Sequence, residues 1–304
     1  MAFTAQDVKA LREMTNVGMM DCKKALTETG GDMDKAVEFL REKGLATAQK
    51  KAGRIAAEGV AYACVIVGVG VVIEVNSETD FAAKTDAFLD LVKGLAQIVA
   101  KEDPKDLDDL LTKSYPGTGR TLADETIEKI QVIGENIHVR RFARFSKGVS
   151  VSYVHMGGRI GVLVNLETDL AADKVTQVGK DLAMQIAALN PRFLDKSQVS
   201  RDVLDEEKKI MLVQMENDPK MAAKPDKVKE GIVMGKLRKF YEENCLMLQE
   251  FVKDGSMSVE QYVASAAKAL GGSIKLVDAV RFEKGEGIEK KQENFAEEIA
   301  KLAK

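Results

Sequence analysis

Two stretches of this chain spell the same pattern. AYACVIVGVGVVIEVNSETDF, starting at Ala61, is echoed by SYVHMGGRIGVLVNLETDL, starting at Ser152. Tyr62 falls on Tyr153 and Gly70 on Gly161, each 91 positions apart, and Thr79-Asp80 falls on Thr168-Asp169 at a spacing of 89. A second echo pairs GENIHVRRFARFSKG, from Gly134, with GGSIKLVDAVRFEKG, from Gly271. Here Gly134 matches Gly271 and Phe145 matches Phe282 at a spacing of 137. Runs of valine and isoleucine bounded by glycine read as hairpin strands. AFLDLVKGLAQIVAK and DKVTQVGKDLAMQIAAL, which lie between them, carry helical spacing. A chain repeated in this way is expected to fold as a duplicated α/β core with antiparallel sheets. Each half opens on a hairpin and closes on a strand, and the class is α+β.

The two spacings also locate an insertion. Opening strands repeat at 91 and closing strands at 137, so the second half is longer by the difference, 46 residues. The natural place is about 200–245, where two amphipathic helices, SRDVLDEEKKIMLVQMEN and PDKVKEGIVMGKLRKFYEEN, flank the breaker DPKMAAKP. A helical hairpin with no core of its own is expected to pack on another chain or to project as an arm. Before the repeats, Thr4 can cap a helix through roughly Met14, with Val8 and Leu11 on one face. A second short helix, MMDCKKALTET, ends at Gly30-Gly31. Asp32 then caps a third, with Met33, Ala36, Val37 and Leu40 at helical spacing and Gly44 as its stop. QKKAGR, residues 49–54, reads as a basic linker. The expected organisation is a three-helix unit over 1–53 and a first core half over 54–148. A second core half over 149–199 and 246–285 is split by the inserted hairpin over 200–245. A C-terminal helical module over 286–304 completes the chain, its helix starting near Glu289.

Composition narrows the function. The 304 residues are 45% hydrophobic and 31% charged, with a net charge of −3. A nucleic-acid-binding domain is usually strongly basic, so no direct nucleic-acid partner is expected, and the absence of tryptophan points the same way. The longest apolar run, around Val65 to Val75, is too short and glycine-broken to span a bilayer, and MAFTAQDVKALREM has no signal-peptide core. Cys22, Cys64 and Cys245 lie far apart and read as reduced thiols of a cytoplasmic protein. Enzyme readings lack residues. His138 and His155, the only histidines, show no metal-ligand spacing and read as structural on sequence alone. No serine or cysteine sits in a nucleophile motif. Gly68-Val69-Gly70 precedes a strand and not a helix, so it reads as a hairpin turn and not as a phosphate loop. Lys23-Lys24 and Lys50-Lys51 read as solvated faces. Neither a cofactor nor a metal is expected.

One feature resists a purely structural account. After GVVIEV comes NSETDFAAK, so a large apolar ring, Phe81, comes after two acids where a buried strand has just ended. Periodicity leaves two readings open. Thr79 or Asp80 caps a short helix and the ring folds back on the sheet, or the Asp80-Phe81 pair reaches into a partner. Met19 and Met20 pose a similar choice. On their own they read as core filler, although methionine also suits adaptable binding surfaces.

The string GMMDCKKAL, residues 18–26, resembles the N-terminal signature of the translation elongation factor Ts family, the nucleotide exchange factors of elongation factor Tu. EVNSETDFAAK resembles that family's second signature, and IGENIHVRRF and RFEKGEGIEK are similar to its strand motifs. The resemblance runs from the first helix to the last. It implies that the N-terminal unit is a ubiquitin-associated-like three-helix domain and that the halves are two core subdomains. It also implies that the 200–245 hairpin is an antiparallel coiled-coil arm. In the family, the N-terminal domain, first half and C-terminal module meet the GTPase domain of elongation factor Tu, and the second half meets that partner's third domain. The hairpin is compatible with a homodimer or with a heterotetramer formed with the partner.

Thr79, Asp80, Phe81 and Ala82 match the family's Thr-Asp-Phe-Val, implicated in dislodging magnesium from the partner. The fourth residue departs from the pattern. Alanine for valine removes about two CH₂ equivalents, about 1.6 kcal/mol if fully buried. Leu170 comes after the matching Asp169 in the second half, so that repeat carries no ring. The resemblance therefore implies a factor without covalent chemistry. Phe81 would be a wedge and Asp80 its polar anchor, with Met19, Met20 and His155 as supporting contacts. The competing class is an adaptor that binds the partner without exchange.

Overall fold

The computed structural model describes residues 3–15 and 17–289; the C-terminal helix expected from Glu289 onward lies outside them beyond its first residue. Three helices open the chain, α1 (Ala5–Thr15), α2 (Met19–Glu28) and α3 (Met33–Lys51). They close on a small core of Val8, Leu11, Cys22, Leu26, Ala36 and Leu40. Asp32 caps α3 by accepting from the Lys35 N–H at 3.0 Å. Gly44 does not stop α3. The residues after it, LATAQKK, are mostly good helix formers, so the helix runs on to Lys51 through the first half of the expected linker. The glycine serves packing instead: a Cβ at this position would lie 2.6 Å from Gln131 Oε1 on the neighbouring helix.

The first core half has an antiparallel sheet of β1 (Glu58–Ile66), β2 (Val69–Ser77) and β3 (His138–Phe145), with β2 in the middle. Between β2 and β3 come α4 (Asp80–Ala83), α5 (Asp86–Glu102), α6 (Leu107–Thr112) and α7 (Leu122–Ile133). Val67 and Gly68 turn the β1–β2 hairpin with φ of 49° and 80°, as a tight two-residue turn requires. The second half repeats the sheet with β4 (Val149–His155), β5 (Ile160–Thr168) and a later strand, β8 (Ile274–Glu283). Its outer helix is α8 (Ala172–Leu189). The inserted hairpin comes next as α9 (Arg201–Glu216), α10 (Pro219–Ala222) and α11 (Asp226–Asn244). A two-stranded ribbon, β6 (Glu250–Phe251) and β7 (Asp254–Ser258), and α12 (Val259–Leu270) lead into β8. The architecture is α+β, with helices and antiparallel sheets as the repeats predict.

The registers of the two sheets superimpose. Gly70 pairs with Phe145 and Gly161 with Phe282, and a bulge comes after Glu74 in β2 and after its counterpart Asn165 in β5. One sequence match shifts. Tyr62 pairs with Ile73, and the residue paired with the counterpart of Ile73 is Val151, not Tyr153. The cause is the tip of the second hairpin, where residues 156–159 separate β4 from β5. A slip of two leaves every side chain on its original face, so Tyr62 and Tyr153 still both point at the helices.

The sheets stack face to face, with helices outside. Val71, Ile73 and Val75 pack on α5 and α7, while Val162, Val164 and Leu166 pack on α8 and α12. The opposite faces meet through Ala61, Ala63, Val72, Leu163 and Phe282. This contact is reciprocal. A Cβ on Gly70 would lie 2.7 Å from Leu163, and one on Gly161 would lie 3.3 Å from Val72. Leu163 and Val72 are themselves counterparts in the repeat, so the halves bury the same patch twice, as a two-fold pair does.

The hairpin leaves and rejoins the core at neighbouring points. The N–H groups of Arg192 and Phe193 both donate to the Asn244 carbonyl at 3.0 Å. It does have a core of its own, contrary to expectation: Met211 and Met215 of α9 meet Val233, Leu237 and Phe240 of α11. Amphipathic spacing on both helices lets them cover each other. Among the described residues no helix is long and apolar enough to cross a membrane.

Candidate functional site

The site grows out of the end of β2. Its last residues, Glu74, Asn76 and Ser77, are polar and fully buried, and the chain then turns outward. Thr79 begins the turn. Its Oγ1 accepts from the Ala82 N–H at 3.2 Å, which caps the single turn α4. The same hydroxyl donates to Glu135 Oε1 at 2.6 Å, and the Thr79 N–H donates to Glu135 Oε2 at 2.9 Å. Glu78 accepts from the Asn136 N–H at 2.7 Å and faces Arg54 at 3.4 Å. Ser77 Oγ donates to the Thr79 carbonyl at 2.9 Å. The base of the turn is thus tied to the loop that enters β3. Ala82 and Ala83 are buried beneath it.

The turn holds Phe81 outward. The ring is 79% exposed, and its one described ring contact is Lys84, whose Nζ stands 5.8 Å from the ring centroid. Of the two readings that periodicity left open, the cap is present and the ring does not fold back on the sheet. The Asp80 carboxylate accepts from Lys84 Nζ at 2.6 Å. That bond holds its carboxyl below the ordinary value, helped by the charges of Lys84 and Lys284. At neutral pH the turn therefore presents an apolar ring beside an ionised carboxylate.

The other candidates lie on separate elements. Met19 and Met20 open α2 and are 44% and 74% exposed, so they are not core filler. Around them GMMDCKKAL divides cleanly: Cys22, Ala25 and Leu26 fill the helical core, and Asp21 pairs with Lys43 of α3. His155 ends β4, half-buried, with Nδ1 2.9 Å from the Tyr153 hydroxyl. None of the described hydrogen bonds, ion pairs or ring contacts joins Met19, Met20 or His155 to the 79–82 turn. Sequence reasoning missed Glu135 and Lys84, which fix the turn and flank its ring. The one sequence signal at Glu135 is that Gly272 stands in its place in the second echo, and that signal does not name Thr79 as its partner. Among the described residues no group of three histidine, cysteine or acidic side chains could hold a metal.

The chain is similar to known proteins over almost its whole length. Residues 78–286 match the family model described as elongation factor TS. Elongation factor Ts of Magnetococcus marinus is 47% identical over 304 residues, covering 99% of each chain. That of Clostridium kluyveri is 48% identical over 303 residues, covering 98% of each, and that of Clostridium perfringens is 46% identical with the same coverage. With the duplicated core, the exposed Thr-Asp-Phe turn and near full-length similarity in view, the chain belongs to the elongation factor Ts family of translation factors.

Proposed function

We propose that this chain binds elongation factor Tu carrying GDP and promotes release of the nucleotide, after which GTP can rebind. The observation that carries the reading is the Phe81 ring, exposed on a turn whose base is pinned by Thr79, Glu135 and Glu78. A rigidly mounted apolar ring can enter a gap between elements of a partner, whereas a ring on a loose loop would lose part of its contact free energy to ordering. A nucleotide held by magnesium and backbone amides is released when the elements bearing those ligands move. The factor must therefore bind the empty partner better than the loaded one, and by linkage the nucleotide weakens its binding by the same ratio. Phe81 is the wedge and Asp80 its polar anchor, with Met19, Met20 and His155 touching the partner elsewhere. Ala82 is buried under the turn and supports it. No bond is made or broken, and the work is cytoplasmic.

Release of labelled GDP from elongation factor Tu tests the reading. Acceleration at substoichiometric protein is expected. Stoichiometric binding without faster release would replace exchange with an adaptor role.

A further inference from the structure

Glu74 is a carboxylate with no exposed surface in the central strand of the first half. Its Oε1 accepts from Arg140 Nη1 at 2.9 Å and from the Gly285 N–H at 2.8 Å, and its Oε2 accepts from Arg141 Nε at 2.6 Å. Arg141 reaches on to the Glu283 carbonyl at 3.3 Å and the Glu286 carboxylate at 2.9 Å, and Arg140 donates to the Glu286 carbonyl. One carboxylate of the first sheet therefore grips the segment just beyond the last strand of the second. That segment reaches the strand end that carries the Phe81 turn: Lys284 donates to Glu58 at 2.6 Å, and Glu58 pairs with Ser77, the last residue of β2. A polar track also runs along β2. Asn76 Nδ2 donates to Glu74 Oε1 at 3.2 Å and to the Glu58 carbonyl at 3.0 Å, and Ser77 bonds the turn itself.

The sheet does not need a charge at this position. Asn165 occupies it in the second half, at the same bulge, and its Oδ1 finds no hydrogen-bond partner among the described residues. A neutral side chain is enough to build the strand, the bulge and the contact between sheets. Burying a carboxylate costs several kcal/mol of desolvation, which only close pairing offsets. The facing strand changes with it: Arg141 lies opposite Glu74 where Asp278 lies opposite Asn165, so the charge belongs with the two arginines that carry the grip on to residues 283–286.

We infer that Glu74, Arg140 and Arg141 form a latch that positions residues 283–286 against the turn, so that Phe81 and Lys284 meet the partner as one surface. These are positioning residues, and the inference rests on the exchange reading. A double-mutant cycle on GDP release tests it, using the full chain with Glu74→Gln, Phe81→Ala and both. Glu74→Gln keeps the shape and removes the charge. Alone it is expected to slow release about fivefold, and in the Phe81→Ala background by less than about twofold, because coupled residues are not additive. If Glu74→Gln does not fold, Arg141→Gln replaces it in the same cycle. Effects that multiply would overturn the latch, as would a lowered urea midpoint with unchanged release by the folded protein. No acceleration by the wild-type chain would overturn the exchange reading and the latch with it, which separates the two failures.

Discussion

The two halves of the core share their strand registers and end their central strands differently. In the second half Thr168 is still paired with Ile274, and the exposed Asp169 accepts from the Ser273 N–H at 2.7 Å. Leu170 then packs on the core. In the first half two more residues stand between the bulge and the Thr-Asp pair. β2 ends at Ser77, and Thr79 falls beyond it to cap a turn of its own. The loop before the third strand takes up the slack: Glu135 accepts from Thr79, where the Ser273 carbonyl accepts from Thr168 and the Ser273 N–H donates to Asp169. An insertion of two preserves the faces of a strand and displaces only the residues beyond it. The same Thr-Asp pattern therefore closes a sheet in one copy and carries an exposed ring in the other.

The outer helices differ in the opposite sense. Buried residues of α5 at 88, 91, 95, 96 and 99 recur in α8 at 175, 178, 182, 183 and 186 with identical spacing. In that alignment Gly94 and Ile98 are replaced by Asp181 and Gln185. Gly94 lies against the ring of Tyr115. Asp181 instead accepts from Lys253 at 2.6 Å, Tyr262 at 2.5 Å and Gln177 at 2.8 Å. Gln185 bonds the Glu250 carbonyl and the Val252 N–H. The second half covers its helix with the β6–β7 ribbon, whose backbone needs partners, so buried polar residues appear there. The first half places its buried polar residues at the end of β2 and in α7, where Glu125 faces Arg120 and Lys129.

Four measurements put this contrast at risk. The largest effect is expected from Gly161→Val, which forces the sheets apart at Val72 and the Ala61 carbonyl. A loss of about 3 kcal/mol is expected from the urea midpoint, and Gly70→Val should cost a similar amount. A wild-type midpoint in either variant would contradict the reciprocal contact. Next is Leu170→Ala. Its half-buried side chain should cost about 2 kcal/mol, near the low end for core truncations, with GDP release by the folded protein unchanged. Phe81→Ala should reverse that pattern. Its stability should change by about 0.5 kcal/mol or less. Its exchange should fall about tenfold, on the order of 1.4 kcal/mol of transition-state stabilisation. A strongly destabilised Phe81→Ala that still exchanges normally would remove the functional difference between the halves.

The smallest effect concerns acid. Burial opposes ionisation of Asp181, but Lys253, Tyr262 and Gln177 outweigh it and hold the carboxyl below its ordinary value. Its stabilisation is therefore complete above the unfolded value, about 3.9, and is lost as pH falls through the lower folded value. Asp181→Asn should flatten the acid limb of the stability curve below about pH 4. A slope unchanged in that variant would remove Asp181 from the acid response.

Repeats and local spacing were enough to read part of this protein from its residues. The matching spacings of the β2/β5 and β3/β8 strands reappear as identical registers, because a strand's partners are set by its alternating pattern. The cap at Asp32 was legible, and that at Thr79 as one of two candidates with Asp80, because a side chain and an amide three residues on are placed to meet. The insertion was legible from the spacings, and its helices from their periodicity. Other features exist only in three dimensions. Gly44 reads as a helix stop until α7 is seen against it. The outward direction of Phe81 depends on Glu135, 56 positions from Thr79, and the grip of Glu74 on Gly285 spans 211 positions. No local pattern encodes such pairs. They form only once two sheets, each stabilised by its own helices, bring distant loops within hydrogen-bond reach.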